Sequence, residues 1–173
     1  MRPLRICALS LILLPVIHGG SGAEGAMSQY SGMYSYSAQA SDKKAIESSI
    51  DHATAKLGFL QRGVARKRLA DSTVPFGHFQ VFFDDASAML RVDKHEYHLT
   101  YAAAAVSATG LNGGTVQVSA HLSGHTLYVS LHGSKGSRHL AFQFQSGGMV
   151  DLETTIESHY FSQPIKYSLH YHR

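Results

Sequence analysis

Alternation of apolar and polar residues dominates the C-terminal half of this chain. Successive side chains on a strand point to opposite faces, so a period of two marks a strand with one buried face. Val116, Val118 and Ala120 share one face, opposite Thr115, Gln117, Ser119 and His121. Leu127, Val129 and Leu131 continue the pattern, as do Leu140, Phe142 and Phe144. Val150, Leu152, Thr154 and Ile156 form a fourth set, and Ile165, Tyr167, Leu169 and Tyr171 a fifth. Turn signals separate them: Leu122-Ser123-Gly124, residues 133–137, and Ser146-Gly147-Gly148. Upstream, three more sets read the same way: Phe79, Val81 and Phe83; Ala88, Leu90 and Val92; Tyr97, Leu99 and Tyr101. Short strands with one greasy face predict an antiparallel meander or barrel, because parallel strands read as continuous apolar runs. Residues 102–114 break the rhythm. Their alanines suit a strand extension or a short helix, and Gly110, Asn112, Gly113 and Gly114 suit a loop.

A different period governs the region before these strands. Ile46, Ile50, Ala53, Leu57, Leu60 and Val64 recur at intervals of three and four, which predicts one amphipathic helix. Ser41 is placed to cap it, and Asp42 to sit in its first turn. Gly63 predicts a bend near the end. Lys44, Glu47, Ser48, Asp51 and Lys56 occupy the polar face. The basic cluster Arg62, Arg66, Lys67 and Arg68 reads as a solvated charge run favoured by the helix dipole. The sharper alternative is an anion site, since guanidinium forks match carboxylates and phosphates. Asp151, Glu153 and Glu157 are further expected partners for these arginines.

Together these patterns predict an α+β fold that is mainly antiparallel β. One N-terminal amphipathic helix packs on a curved seven- to eight-stranded antiparallel meander or lipocalin-like barrel. The domain spans residues 41–173. Residues 24–40, rich in Ser, Gly and Tyr, read as a flexible lead-in, with Tyr34-Ser35-Tyr36 offering a short edge strand as the alternative. Residues 1–23 read as a signal peptide: Arg2 and Arg5, an apolar run over 8–17 too short to span a bilayer as a helix, then Ser21-Gly22-Ala23. A periplasmic or secreted location follows as the expectation, with no transmembrane segment once the leader is gone.

Composition narrows the function classes. The sole cysteine, Cys7, falls in the leader, so the mature domain has no disulfide or thiolate site. Losing Arg2 and Arg5 lowers the formal net charge from +3 to +1, which gives no electrostatic case for a nucleic-acid partner. Histidine is the one oddity, with eleven of twelve lying beyond the leader. His121 and His125, and His132 and His139, flank turns, and His170 and His172 share a strand face. That spacing suits a metal, yet no carboxylate accompanies it at a metal-site spacing. His95-Glu96-Tyr97-His98 has one residue too few for the helical zinc-protease motif. No metal site, cofactor or catalytic set is therefore assigned. Asp84-Asp85 reads as turn chemistry.

The inner face is richer. Phe79, Phe83, Tyr97, Tyr101, Phe142, Phe144, Tyr167 and Tyr171 all project to it. They either pack a solid core or line a cavity for one small apolar ligand. In the cavity reading the binding residues are Phe79, Tyr97, Tyr101, Phe142, Phe144, Tyr167 and Tyr171, with Arg62 and Arg66 as partners for tyrosine hydroxyls.

Two stretches also carry a resemblance. Ala65-Arg66-Lys67-Arg68-Leu69, closing the helix, and the terminal run Pro164, Tyr167, Leu169, Tyr171 and Arg173 resemble an uncharacterised family of exported proteobacterial proteins. The resemblance implies a periplasmic location and supplies no catalytic residue. Three functional classes remain. The first is a non-catalytic envelope protein binding a small apolar or amphipathic ligand. The second is an interaction or inhibitor module acting on an envelope protein. The third is a hydrolase with a spatially assembled site.

Overall fold

Every alternating segment finds an antiparallel neighbour in the computed structural model, which describes residues 27–101 and 104–173. The leader and Cys7 lie outside the described residues. The strands are β1 (Gly32–Tyr36), β2 (His78–Phe83), β3 (Ser87–Val92), β4 (His95–Thr100) and β5 (Val106–Thr109), then β6 (Thr115–Ser123), β7 (Thr126–Gly133), β8 (Gly136–Phe144), β9 (Met149–Ser158) and β10 (Ile165–His172). They form one sheet in the order β4-β3-β2-β1-β10-β9-β8-β7-β6-β5. The described residues thus hold ten strands rather than seven or eight. One extra strand is β5, in the stretch where alanines and glycines mask the period. The other is β1.

β1 lies within the stretch expected to be a lead-in. It is not an edge strand: it lies between β2 and β10 and joins the first hairpins to the last. Tyr34 on β1 is fully buried. The ribbon therefore curls into a nearly closed barrel whose seam lies between β4 and β5. Across that seam the Tyr97 hydroxyl donates to the Thr109 carbonyl at 3.1 Å.

The assigned faces hold. Phe79, Val81, Leu90, Val92, Leu127, Val129, Leu140, Phe142, Val150, Leu152, Ile165 and Leu169 are all buried. Rings fill much of the interior. Phe79 is central, with ring centroids 5.1 Å from Tyr34, 4.9 Å from Phe142 and 5.0 Å from Tyr171. Phe83 meets Phe144 edge-on at 5.2 Å. Such offset and edge contacts are favoured by the ring quadrupoles. A short 3₁₀ turn, Ser28–Tyr30, adds Tyr30 against Phe144.

Between β1 and β2 the chain forms two helices, not one: α1 (Ala40–Thr54) and α2 (Phe59–Ser72). The break falls over residues 55–58, ahead of Gly63, with Gly58 as the N-cap of α2. α1 buries Ile46, Ile50 and Ala53, and its Ser49 hydroxyl accepts the backbone N–H of Lys166 on β10 at 2.9 Å. Its N-cap is Gln39 rather than Ser41. The Asp42 carboxylate, three residues on, accepts the Gln39 N–H at 3.2 Å and the Tyr36 hydroxyl at 2.7 Å. That anchor ties the end of β1 to the start of α1. The stripe read across Leu57, Leu60 and Val64 does not continue, because the break rotates α2; Leu69 is the buried residue of α2.

Two glycines should respond oppositely to alanine. Gly136 opens β8 at φ 154°, and a Cβ there would fall 2.1 Å from the Glu157 carbonyl oxygen. Gly136→Ala should cost at least about 2 kcal/mol, since neither backbone can yield cheaply. Gly63, inside α2, has open space where a Cβ would stand. Gly63→Ala should stabilise by about 0.5–1 kcal/mol through helix propensity. Urea unfolding of the two variants measures both signs.

Candidate functional site

The helices mark one end of the barrel, and space is left there. A cleft of about 600 Å³ opens beneath the C-terminal turn of α2. Leu69 and Ser72 of α2 form one wall, the β5–β6 loop another, and the β7–β8 turn with Phe161 a third. Leu69, Val116, Leu131, Ile156 and Phe161 make the surface largely apolar, with Arg138 among them. A second cleft of about 300 Å³ adjoins it, lined by Asp71, Asp93, Lys94, His95 and Asn112. Ser72, Leu111, Asn112 and Arg138 belong to both. Arg138 therefore stands in the wall between an apolar space and a polar one.

Register explains its position. Arg138 pairs with Leu131 on β7 and with Ile156 on β9, and Ile156 in turn with Ile165 on β10. This is an inner-face row of apolar residues interrupted by one guanidinium. Counting back by twos from Phe144, Phe142 and Leu140 gives 138. The same alternation that located the strand thus also points Arg138 inward. Sequence reasoning missed it by ending the turn at Ser137 and starting the strand at His139.

Arg138 has no carboxylate partner among the described residues. Its Nη2 donates to the Ser72 carbonyl at 2.6 Å. Burial pushes its pKa below the usual guanidinium value, and the Tyr167 and Tyr97 hydroxyls oppose that shift. Burial pushes both phenols up, Tyr97 against the field of Arg138, and Tyr167 against that field and a bond from the Thr154 hydroxyl. The result is a guanidinium with two neutral phenols near it. Five N–H donors on one fork, one of them spent on Ser72, leave capacity for an anion.

The residues expected to bind ligand divide accordingly. Tyr97 and Tyr167 come close enough to Arg138 to influence it. Phe79, Phe142, Phe144 and Tyr171 pack into the ring cluster, and the Tyr171 hydroxyl donates to the Phe76 carbonyl at 3.2 Å. Tyr101 donates to the Ser87 carbonyl at 2.7 Å. The larger cleft is lined by other residues. Arg62 donates to the carbonyls of Thr54 and Ala55 and so caps α1. Arg66 pairs with Asp51 at 2.6 Å, not with the acids of β9. Both arginines hold the two helices together.

Histidine forms pairs on the outer surface. His170 Nδ1 lies 2.6 Å from Asp151 across β9 and β10. His139 Nδ1 lies 2.9 Å from the Ser130 hydroxyl, and its ring meets His132 at 5.3 Å. A hydroxyl beside one imidazole and a carboxylate beside another sit on different strand pairs, so they do not form one relay. No group of three or more His, Cys, Asp or Glu among the described residues is placed to hold a metal.

No protein-family model matches this chain, and no curated protein matches it in sequence. Solved structures do resemble it. The REP1-NXSQ fatty acid transporter superposes with a TM-score of 0.51 at 13% identity, covering 84% of this chain and 96% of that one. A Schistosoma mansoni fatty acid binding protein in complex with arachidonic acid gives 0.50 at 13%, over 86% and 98%. These likenesses are of fold alone: a nearly closed antiparallel barrel with two helices, lipocalin-like in architecture.

Two half-buried phenols, Tyr36 and Tyr101, carry a pH signature. Burial, then the nearby Asp84, raises Tyr101 to about 12. Burial, then its bond to Asp42, raises Tyr36 to about 12. An unfolded tyrosine titrates near 10, so between about pH 10 and 12 the unfolded chain releases protons that the folded one keeps. Stability should be unaffected by these groups below pH 10 and fall as pH rises through 12. Thermal melts over pH 9–12 should show a shallower fall for Tyr101→Phe than for the unaltered chain.

Proposed function

We propose that this chain is an exported, non-catalytic binding protein that takes a small amphipathic ligand into the helix end of its barrel. The apolar body lies against Leu69, Val116, Leu131, Ile156 and Phe161, and an anionic head group meets Arg138. The observation that carries the reading is Arg138 itself: a cation on the inner face, flanked by Leu131 and Ile156, with a carbonyl as partner and no carboxylate among the described residues. Partial burial of a charge without a counter-ion is costly, and an arriving anion reduces that cost. The volume supports it, since about 600 Å³ falls within the roughly 300–1,000 Å³ of small-molecule sites. The likeness in fold to a fatty acid transporter and to a protein solved with arachidonic acid supports an apolar ligand. Export rests on the leader over residues 1–23, and the periplasm or the outside medium is the proposed location.

Titration calorimetry with a medium-chain carboxylate and the alcohol of equal length tests the head-group role. The carboxylate should bind at least about tenfold tighter, since a hydrogen bond to a charged group contributes ~1.5–3 kcal/mol. Arg138→Met should erase that preference while leaving the melting temperature equal or higher, because a half-buried charge with no carboxylate partner among the described residues is replaced by an apolar side chain of similar reach. Equal affinity for acid and alcohol in the unaltered chain refutes the reading. For export, mass spectrometry of protein expressed with its full leader should give a mature N-terminus at Glu24.

A further inference from the structure

We infer that the outer face of α2 docks on an anionic lipid surface. Phe59 is 91% exposed, Leu60 81% and Val64 55%. At helical spacing these three lie on one arc with Gly63 and Lys67, opposite the buried Leu69. Large apolar side chains left in water at the start of a helix have no role in the core. Positive charge surrounds them. α2 carries Arg62, Arg66, Lys67 and Arg68 against a single acid, Asp71, and Lys56 precedes it. Arg62 and Arg66 are engaged with α1. Lys56, Lys67 and Arg68 are exposed, and none of the ion pairs among the described residues takes them.

Apolar side chains beside unpaired cations are what an interfacial helix presents to acidic lipid: the rings and aliphatic groups enter the acyl boundary, and the cations meet the head groups. Two other occupants fit less well. A specific protein interface takes roughly 800 Å² and about 20–30 residues a side, far more than three side chains and their flanking cations. A symmetric pairing of two copies would bring Lys67 and Arg68 of each against the same charges of the other. Among the described residues no helix is long and apolar enough to cross a membrane. The docking face and the larger cleft share α2: Phe59 and Leu60 begin it, and Leu69 and Ser72 end it in the cleft wall.

The chain has no tryptophan, so Leu60→Trp makes a single reporter at an exposed position. With vesicles of phosphatidylglycerol and phosphatidylcholine, its emission should shift to the blue. Partition should weaken at least tenfold in pure phosphatidylcholine and at least tenfold again on adding Lys67→Glu and Arg68→Glu. Phe59→Ser, tested by co-sedimentation without the reporter, should weaken binding several-fold. Emission that ignores vesicles, or a shift equal in neutral vesicles and after charge reversal, overturns the inference. So does self-association that depends on Phe59 and Leu60 with no vesicle binding, or an acidic protein taken up at this face while lipid is not. Arg138→Met should leave vesicle binding unchanged. The ligand reading can therefore fail in calorimetry while this one stands, and the reverse.

Discussion

The closure of the barrel through β1 is the constraint on which the rest depends. A meander of nine strands from β2 to β10 would leave β2 and β10 as unpaired edges. Five residues, Gly32–Tyr36, fill that gap by pairing with β2 on one side and β10 on the other. Pairing with β10 is short, Ser35 with His172 and Tyr36 with Tyr171, and is extended by the Ser37 N–H donating to the His170 carbonyl at 2.8 Å. Closure turns a one-faced sheet into an enclosed interior, and Tyr34 enters it to stack on Phe79. The helices depend on the same strand, since Tyr36 at its end bonds to Asp42 in the first turn of α1.

Closure also divides the interior. Phe79, Phe142, Tyr171 and Tyr34 interlock at centroid distances near 5 Å, so this region is solid. Close packing of such rings is favourable, because a gap would forfeit the dispersion contacts of the cluster. Space survives beneath α2, where Gly110, Gly114, Gly133 and Gly136 in the turns bring no side chains to fill it. The expected rings lie in the core cluster, and the cleft is lined by other residues, Leu69, Val116, Leu131, Ile156 and Phe161 with Arg138, Lys135 and Glu157 among them.

Much of this was legible along the chain. The parity of Leu127, Phe142, Leu152 and Tyr167 is a local property of a strand, and each of these residues is buried. What escaped is non-local or sits at a boundary. Tyr34-Ser35-Tyr36 has a strand's alternation, but its burial depends on partners more than forty residues away on one side and more than one hundred and thirty on the other. The helix break depends on α2 rotating to place Arg62 on the carbonyls ending α1, and a stripe of suitable spacing across Leu57 and Leu60 conceals it. Exposure of Phe59 and Leu60 is the price of that rotation.

Arg138 shows how a boundary error hides chemistry. Polar residues near a turn are read as turn, so the inward parity of a charge near the start of β8 passes unnoticed. Physically it is the residue least at ease in its place. Leu131 and Ile156 face it across both neighbouring strands, its field meets neutral phenols rather than carboxylates, and a single carbonyl takes one of its donors. A chain selected for stability alone gains by placing an apolar residue at such a position. Under the proposed reading, a carboxylate beside Arg138 would form a charge-assisted pair next to Leu131 and Ile156, where such an interaction is stronger than in solvent. The strain on one side chain and the space beside it are therefore two aspects of a single site.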